Sequence, residues 1–374
     1  MARKVRLSDV SRAAGVGLAT VSRALGDHPD VSEATRERVR AVARELGYRP
    51  SVTARALRSG GFHAISAIVP DAGWGWWEPV VRAAFTAASA EGYQLMVHPV
   101  AGTPGGMAAI VEGLANVPTE GVIVISVPHQ DAVREACDRI ALPAVAIDDT
   151  SRKVRFPTVS PRNREGARIA VEHLIAQGRR SIALLSVDLG AGSTDWGDGL
   201  FIDERAAGYR DALEAAGIAH DESLVIDCDD FLEEARPTLP SLSAAVERGI
   251  EIDAIFCIAD LLAAPALRTL RAHGLRVPAD VSLIGFDDER AAGLVDPQLT
   301  TMRQPYAEMG RLAVELLLRS IRGEELDEQR HEIDTQLVER ASTTPRLRPA
   351  EPMCPTPFSA LPAIPVAPNP AART

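Results

Sequence analysis

Leu7-Ser-Asp-Val-Ser-Arg-Ala-Ala-Gly-Val-Gly-Leu-Ala-Thr-Val-Ser-Arg-Ala-Leu25 reads as two short amphipathic helices with a break between them. Leu7, Val10 and Ala14 fall on one face of the first. Gly15 supplies the left-handed residue that ends this helix and turns the chain. The second helix runs over 18–25, with Val21 and Leu25 inward. Two short helices around a glycine-containing turn form the helix-turn-helix pattern. Ser32 is placed to cap a third helix, running from Thr35 through Leu46 and stopped by Gly47. Its expected apolar stripe is Val39, Val42, Ala43 and Leu46.

Beyond this head the periodicity changes. Strands are expected at 64–69, 94–97, 121–126, 144–147, 181–186, 254–258 and 281–285. Amphipathic helices lie between most of them, for example over 78–91, 165–177 and 205–216. Alternating strand and helix predict parallel sheets covered on both faces. There are too many strands for one compact sheet, so two doubly wound subdomains are expected. Ligands of such sheets bind beyond the carboxyl ends of the strands, here in the cleft between the two. Residues 346–374 are dominated by Pro, Ala and Thr and are expected to be disordered.

The formal net charge of −11 divides unevenly: residues 1–60 carry +6 and the rest −17. A basic head on an acidic body points to a polyanion partner for the head alone. No apolar run is long enough to span a bilayer, and no apolar segment follows the basic start, so no secretion signal is read there. Cys137, Cys228, Cys257 and Cys354 form no C-x-x-C pair and read as free thiols in a reducing cytosol. The eight His fall in no metal spacing, and no phosphate-binding loop or nucleophile elbow is present, so neither a metal, a cofactor nor an enzyme is expected.

The run 7–25, continued by Val31-Ser-Glu-Ala-Thr-Arg-Glu-Arg-Val39 and Leu46-Gly-Tyr-Arg-Pro50, resembles the DNA-binding head of the lactose-repressor (LacI/GalR) family. Further likeness lies in 172–185, in Arg205-Ala-Ala-Gly-Tyr209, in Val277-Pro-Ala-Asp-Val-Ser-Leu-Ile-Gly-Phe-Asp-Asp288, in Leu299-Thr-Thr-Met-Arg-Gln-Pro305 and in Arg340-Ala-Ser-Thr343. The resemblance implies an α/β protein with an N-terminal all-α helix-turn-helix head at 1–49, a hinge helix and linker at 50–62, and a periplasmic-binding-protein-like core at 63–345. Within the core, about 63–162 and 304–332 would form subdomain one, and 163–303 and 333–345 subdomain two. The implied function is a transcriptional repressor that binds a near-palindromic operator as a homodimer, in the cytoplasm and at the nucleoid when on DNA. A small-molecule effector, of carbohydrate type, would control it. A sugar-binding protein without DNA-linked regulation is the alternative.

In such heads the second helix enters the major groove. By resemblance Leu18, Ala19 and Arg23 take the base-reading positions, and Thr20 and Ser22 reach phosphate. Arg6, Ser32, Thr35 and Tyr48 are further DNA contacts. Leu57 matches the leucine that wedges into the minor groove, or else packs on the core, with Arg55 and Arg58 facing phosphate. Two positions depart from the family: Gly17 replaces a hydroxyl residue at the start of the second helix, and Arg6 replaces a Thr.

For the effector, the resemblance picks out Asp71, Trp76, Asp148, Asn163, Arg205, Phe231, Asp260 and Asp287. Carboxylates accept from neighbouring hydroxyls, Arg donates to them, and a ring covers the apolar face of a sugar. Asp71-Ala-Gly-Trp-Gly-Trp-Trp77 stands where Asp-x-x-Asn-Pro-Phe-Phe is usual, so Trp76 and Trp77 either face the cleft or anchor the next helix. Trp196 lies in a Gly/Asp-rich segment that could form a cleft-edge loop. Arg162-Asn163 replaces the usual Asp-Asn, and Ala259 the usual Asn before Asp260. Arg162 therefore either brings a cation for an acidic or phosphorylated sugar or points to solvent.

Overall fold

The computed structural model describes residues 5–26, 28–48, 61–71, 74–100, 109–110, 112–126, 130–149, 155–187, 201–228, 238–326 and 329–345, without the side chains of 74–76 and 130. Arg55, Leu57, Arg58, Trp196, Phe231 and the tail 346–374 lie outside them, as does the side chain of Trp76.

The head is a three-helix unit: α1 (Leu7–Ala14), α2 (Leu18–Leu25) and α3 (Glu33–Glu45). Its core is Val10, Ala14, Val21, Ala24, Val31, Val39 and Ala43, with Leu7, Leu25, Val42 and Tyr48 packed against it. Gly15 sits at φ 65°, and its N–H donates to the Ser11 carbonyl. Ser11 Oγ ties the turn further by donating to the Val16 carbonyl at 2.7 Å. At the start of α1, the Arg6 N–H donates to Asp9 Oδ2 at 2.9 Å. Two details differ from the sequence reading. Leu46 is 38% exposed, because the helix ends at Glu45 and turns that side chain out of the stripe. The helix also begins at Glu33, with Ser32 at the cap, and Ser32 Oγ donates to Thr35 Oγ1 at 2.9 Å rather than accepting from a backbone N–H.

The core holds two six-stranded sheets. The first contains β1 (Ala64–Pro70), β2 (Gln94–Val100), β3 (Val122–Ile125), β4 (Ala144–Ile147), β5 (Thr158–Pro161) and β11 (Arg330–Ile333), in the order β11-β5-β4-β3-β1-β2. The second contains β6 (Ile182–Val187), β7 (Val225–Cys228), β8 (Ala254–Cys257), β9 (Ser282–Asp287), β10 (Thr300–Arg303) and β12 (Gln336–Val338), in the order β12-β10-β9-β8-β6-β7. Among the described pairs only β10 with β12 is antiparallel. Central strands such as β1 and β9 are buried on both faces and are nearly continuous in apolar residues, whereas β2 at the edge alternates.

Helices α4 (Trp74–Ala90) and α10 (Tyr306–Ile321) pack together on the first sheet, and α5 (Gln130–Arg139) covers its other face. On the second sheet α6 (Asn163–Ala176) pairs with α7 (Phe201–Ala215), opposite α8 (Pro240–Glu247) and α9 (Ala263–Ala272). The chain passes between the sheets at Arg162, at Gln304–Pro305 and at Asp334–Thr335. Arg179 is fully buried and donates to the carbonyls of Asp253, Pro278, Asp280 and Thr344, fastening the returning end of the chain to the second sheet.

Candidate functional site

Strand ends from both sheets converge on Arg205. Asp148 follows β4, Asp287 closes β9, Asn163 opens α6, and Arg205 stands at the start of the second turn of α7. All four side chains are buried. Asn163 Nδ2 donates to Asp148 Oδ1 at 3.1 Å, and Asn163 Oδ1 accepts from Arg205 Nε at 2.9 Å. Arg205 Nη1 donates to Asp287 Oδ1 at 3.1 Å and to the Ile258 carbonyl at 2.7 Å. Gln304, in a crossover, donates to the same Asp287 oxygen at 2.6 Å. The guanidinium lies between two rings, 3.7 Å from the Phe286 centroid and 4.4 Å from that of Phe201. Its Nη2 donates to nothing among the described residues, so the fork keeps one free tine.

The backbone is unusual at the same place. Ser126 after β3, Asp148, Asp287 and Asp288 have φ of 37°, 60°, 127° and 57°. Non-glycine residues are held in that region only where the surroundings over-determine them, and such residues cluster at functional sites. Burial pushes the Asp287 carboxyl up to about 6, against the opposing pull of Arg205, and Asp148 adds to the rise. Burial likewise raises Asp148, with Arg205 and Asn163 opposing.

Asp260 is also raised well above the ordinary range by burial and by Asp287. Its oxygens, however, are engaged within the second sheet. Oδ1 accepts from Thr301 Oγ1 at 2.7 Å and Oδ2 from the Glu289 N–H at 2.9 Å. It braces the loop after β9 rather than offering an open carboxylate. Asp71 is exposed at the end of β1, its N–H donating to the Val100 carbonyl. Trp77 is 1% exposed and packs in the first sheet's core with Val80 and Ala84, which makes it the helix anchor. Arg162 is half exposed and pairs with Asp334 at 3.2 Å.

Sequence reasoning passed over Phe201, Phe286, Gln304 and Tyr306. Phe286 and Gln304 lie inside motifs already singled out, so an aromatic beside the paired Asp and an amide in a crossover were the available signals.

On the head, Leu18, Ala19 and Arg23 are exposed on one side of α2, with Leu18 at 52%, and Thr20 and Ser22 flank them half-buried. Arg6 is exposed beside the start of α1. Ser32 and Thr35 sit at the start of α3, and Tyr48 is half-buried against the head's core.

Residues 6–51 match the bacterial regulatory proteins of the lacI family, and residues 171–343 match the periplasmic binding protein-like domain. The HTH-type transcriptional regulator CelR of Thermobifida fusca is 33% identical over 350 residues, covering 91% of this chain and 98% of CelR. This chain belongs to the lacI family. Among solved structures, the CelR–cellobiose complex is 30% identical with a TM-score of 0.66, covering 90% of this chain and 99% of that one. The lac repressor dimer bound to operator and the anti-inducer ONPF is 27% identical with a TM-score of 0.76, covering 91% and 100%. The lacI-family relatives are transcription regulators rather than enzymes. No helix among the described residues is long and apolar enough to cross a membrane.

Proposed function

We propose that this lacI-family regulator is a repressor that binds a near-palindromic operator as a homodimer and is switched by a polyhydroxylated effector in the cleft. The observation that carries the reading is the chain of hydrogen bonds from Asp148, on the first sheet, through Asn163 and Arg205 to Asp287, on the second. A ligand engaging both ends interacts differently with open and closed arrangements, and only such a difference shifts an equilibrium. Asp148, Asn163, Arg205 and Asp287 are assigned to the effector, with Gln304 beside them. Asp71, Trp76 and Phe231 are assigned to the rim by family position, and Asp260 to the frame behind the site. Support for the DNA half comes from the exposed α2 face and from relatives named for operators and repression.

Leu18, Ala19 and Arg23 read bases. Thr20, Ser22, Arg6, Ser32, Thr35 and Tyr48 position the head on phosphate. Leu57 kinks the central step, flanked by Arg55 and Arg58. The protein acts in the cytoplasm on nucleoid DNA, pairs through its core, and catalyses no reaction.

The test is operator titration with and without an effector found by thermal-shift screening of sugars. Arg205→Ala is expected to bind operator with nearly wild-type affinity and to lose the effector response, a coupling of about 1–3 kcal/mol in the wild type. A variant that responds at the wild-type effector concentration removes Arg205 from the site.

A further inference from the structure

One carboxylate grips the chain where it enters the core. Glu120, two residues before β3, accepts from the His63 N–H through Oε1 at 2.7 Å and from Tyr93 Oη through Oε2 at 3.0 Å. Its own N–H donates to the Ala64 carbonyl at 2.8 Å. A Cβ on Gly61 would stand 2.3 Å from Glu120 Oε1, so the carboxylate lies against the bare backbone of the incoming chain. His63 is held at φ 47°, with its ring 5.5 Å from that of Tyr93, and its carbonyl accepts from the Gln94 N–H at 2.8 Å. A non-glycine residue keeps such a φ only where its neighbours fix it. Residues 61–63 are thereby tied at once to the first residues of β1 and β2 and to the approach to β3.

This clamp lies at the far end of α10 from the cleft. The helix opens two residues after Gln304, whose Nε2 donates to Asp287 at 2.6 Å. Its 16 residues span about 24 Å. Its last two turns press on Gly121, next to Glu120, where a Cβ would meet Leu317 Cδ1 at 2.8 Å and Ile321 Cδ1 at 3.1 Å. Arg322, just past the helix, pairs at 3.3 Å with Glu91, two residues before Tyr93.

We propose that Glu120 is the positioning residue through which the state of the cleft reaches the hinge segment: α10 carries a displacement at Gln304 to Gly121, and the clamp passes it to residues 61–63. This rests on the cleft being the effector site and on the head being coupled to it. A packed helix moves as a body, because close contacts along its length resist compression. A carboxylate bound to both a backbone N–H and a phenol leaves the entering chain little slack in which that movement is lost. Coupling of this kind is reciprocal. DNA on the head must therefore change the cleft, whatever the effector is.

The test is hydrogen exchange on the full-length protein, with and without a saturating duplex that the wild type has selected from a random-sequence pool. In the wild type the duplex is expected to change exchange in the peptides over 144–148 and 202–209 by about fivefold or more. Glu120→Ala, at duplex saturation, is expected to lose that change, while its exchange in these peptides without duplex stays as in the wild type. Glu120→Gln keeps an acceptor for the His63 N–H and a donor for Tyr93 Oη, and is expected to restore the response. Should Glu120→Ala fail to fold, Tyr93→Phe removes one of the two side-chain bonds and is expected to lose part of the response. The proposal is overturned by an Ala variant, or by Tyr93→Phe in its place, that keeps the full wild-type response, or by a Gln variant that loses it as completely as Ala. A wild type whose cleft ignores the duplex overturns the coupling of cleft to head, and with it the switch proposed above. A wild-type response that survives Glu120→Ala overturns the clamp alone.

Discussion

Arg205 is held by partners of the second subdomain and is linked to the first through Asn163, which donates to Asp148. Its plane is fixed by the Phe201 and Phe286 rings, so its donors are aimed before any ligand arrives. The cost falls on its partners. Asp287 in the folded protein is pushed up to about 6, chiefly by burial, whereas an unfolded Asp loses its proton near 3.8. Between those values the native state binds more protons, so stability falls as pH rises through that window. Asp287→Asn mimics the protonated form and preserves an acceptor for Arg205 and Gln304. We expect it to stabilise the ligand-free protein by about 1–3 kcal/mol at pH 7 and to flatten the slope between about pH 4 and 6. Urea melts at the two ends of the window measure both effects. A variant less stable than wild type at pH 7 would mean that the ion pair with Arg205 outweighs the burial of charge. The residues named in this site from sequence were those that the family likeness picks out by position. Phe286 and Gln304 stood inside quoted motifs without a role, because what they do depends on the Arg205 guanidinium and the Asp287 carboxylate that the fold brings beside them, and Trp77 was ambiguous because a Trp after a strand serves a cleft or a core equally well.

At the scale of elements, the site depends on how closely α6 and α7 approach. Gly208 lies at their crossing, and a Cβ there would stand 2.1 Å from the Arg164 carbonyl oxygen and 2.9 Å from the Ala167 Cβ. Gly310 plays the same part between α10 and α4, where a Cβ would meet the Val80 carbonyl at 2.3 Å. Helices α6 and α7 carry Asn163 and Arg205, so any spreading of the pair opens the 2.9 Å hydrogen bond between them. Gly208→Ala should cost about 1–3 kcal/mol through overpacking and also weaken the effector response, whereas Gly293→Ala, where a Cβ meets nothing within 4 Å, should change neither. Thermal melts and effector midpoints for the two variants give the comparison. Long apolar strands such as β1 and β9 were legible because burial on both faces leaves an uninterrupted hydrophobic run. Strands β5, β10, β11 and β12 are three or four residues long and include Thr158, Thr300, Thr301 and Arg330. They exist because a sheet is already there to pair with, which no local pattern can announce. Helix α4 likewise starts earlier than its periodicity suggests, taking Pro79 into its second turn.

For the whole molecule, the alternation of strands and helices counts elements without saying which sheet the last helix joins. That α10 and β11 return to the first sheet came from the family likeness, not from periodicity. The chain crosses between the two sheets three times, and the proposed switch acts through relative movement of the subdomains about those crossovers. The charge division acts at the same scale. A head region of +6 joined to −17 of remaining chain attracts phosphate locally while the body is repelled, so non-specific binding is held down and specific binding must draw on contacts that depend on sequence. The family likeness is the ground for proposing Leu57 in that role, since a minor-groove wedge gains energy only where the central step kinks readily. On the proposed reading, Leu57→Ala removes the wedge and leaves the phosphate contacts assigned to Thr20, Ser22, Arg55 and Arg58. Its expected effect is a loss of operator affinity of about 1–3 kcal/mol, with random-sequence duplex bound as before and an unchanged salt dependence on both DNAs. Titrations of operator and random duplex at two salt concentrations separate the possibilities. A uniform loss on both would make Leu57 a packing residue of the hinge, and a changed salt slope would mean that phosphate contacts were lost with it.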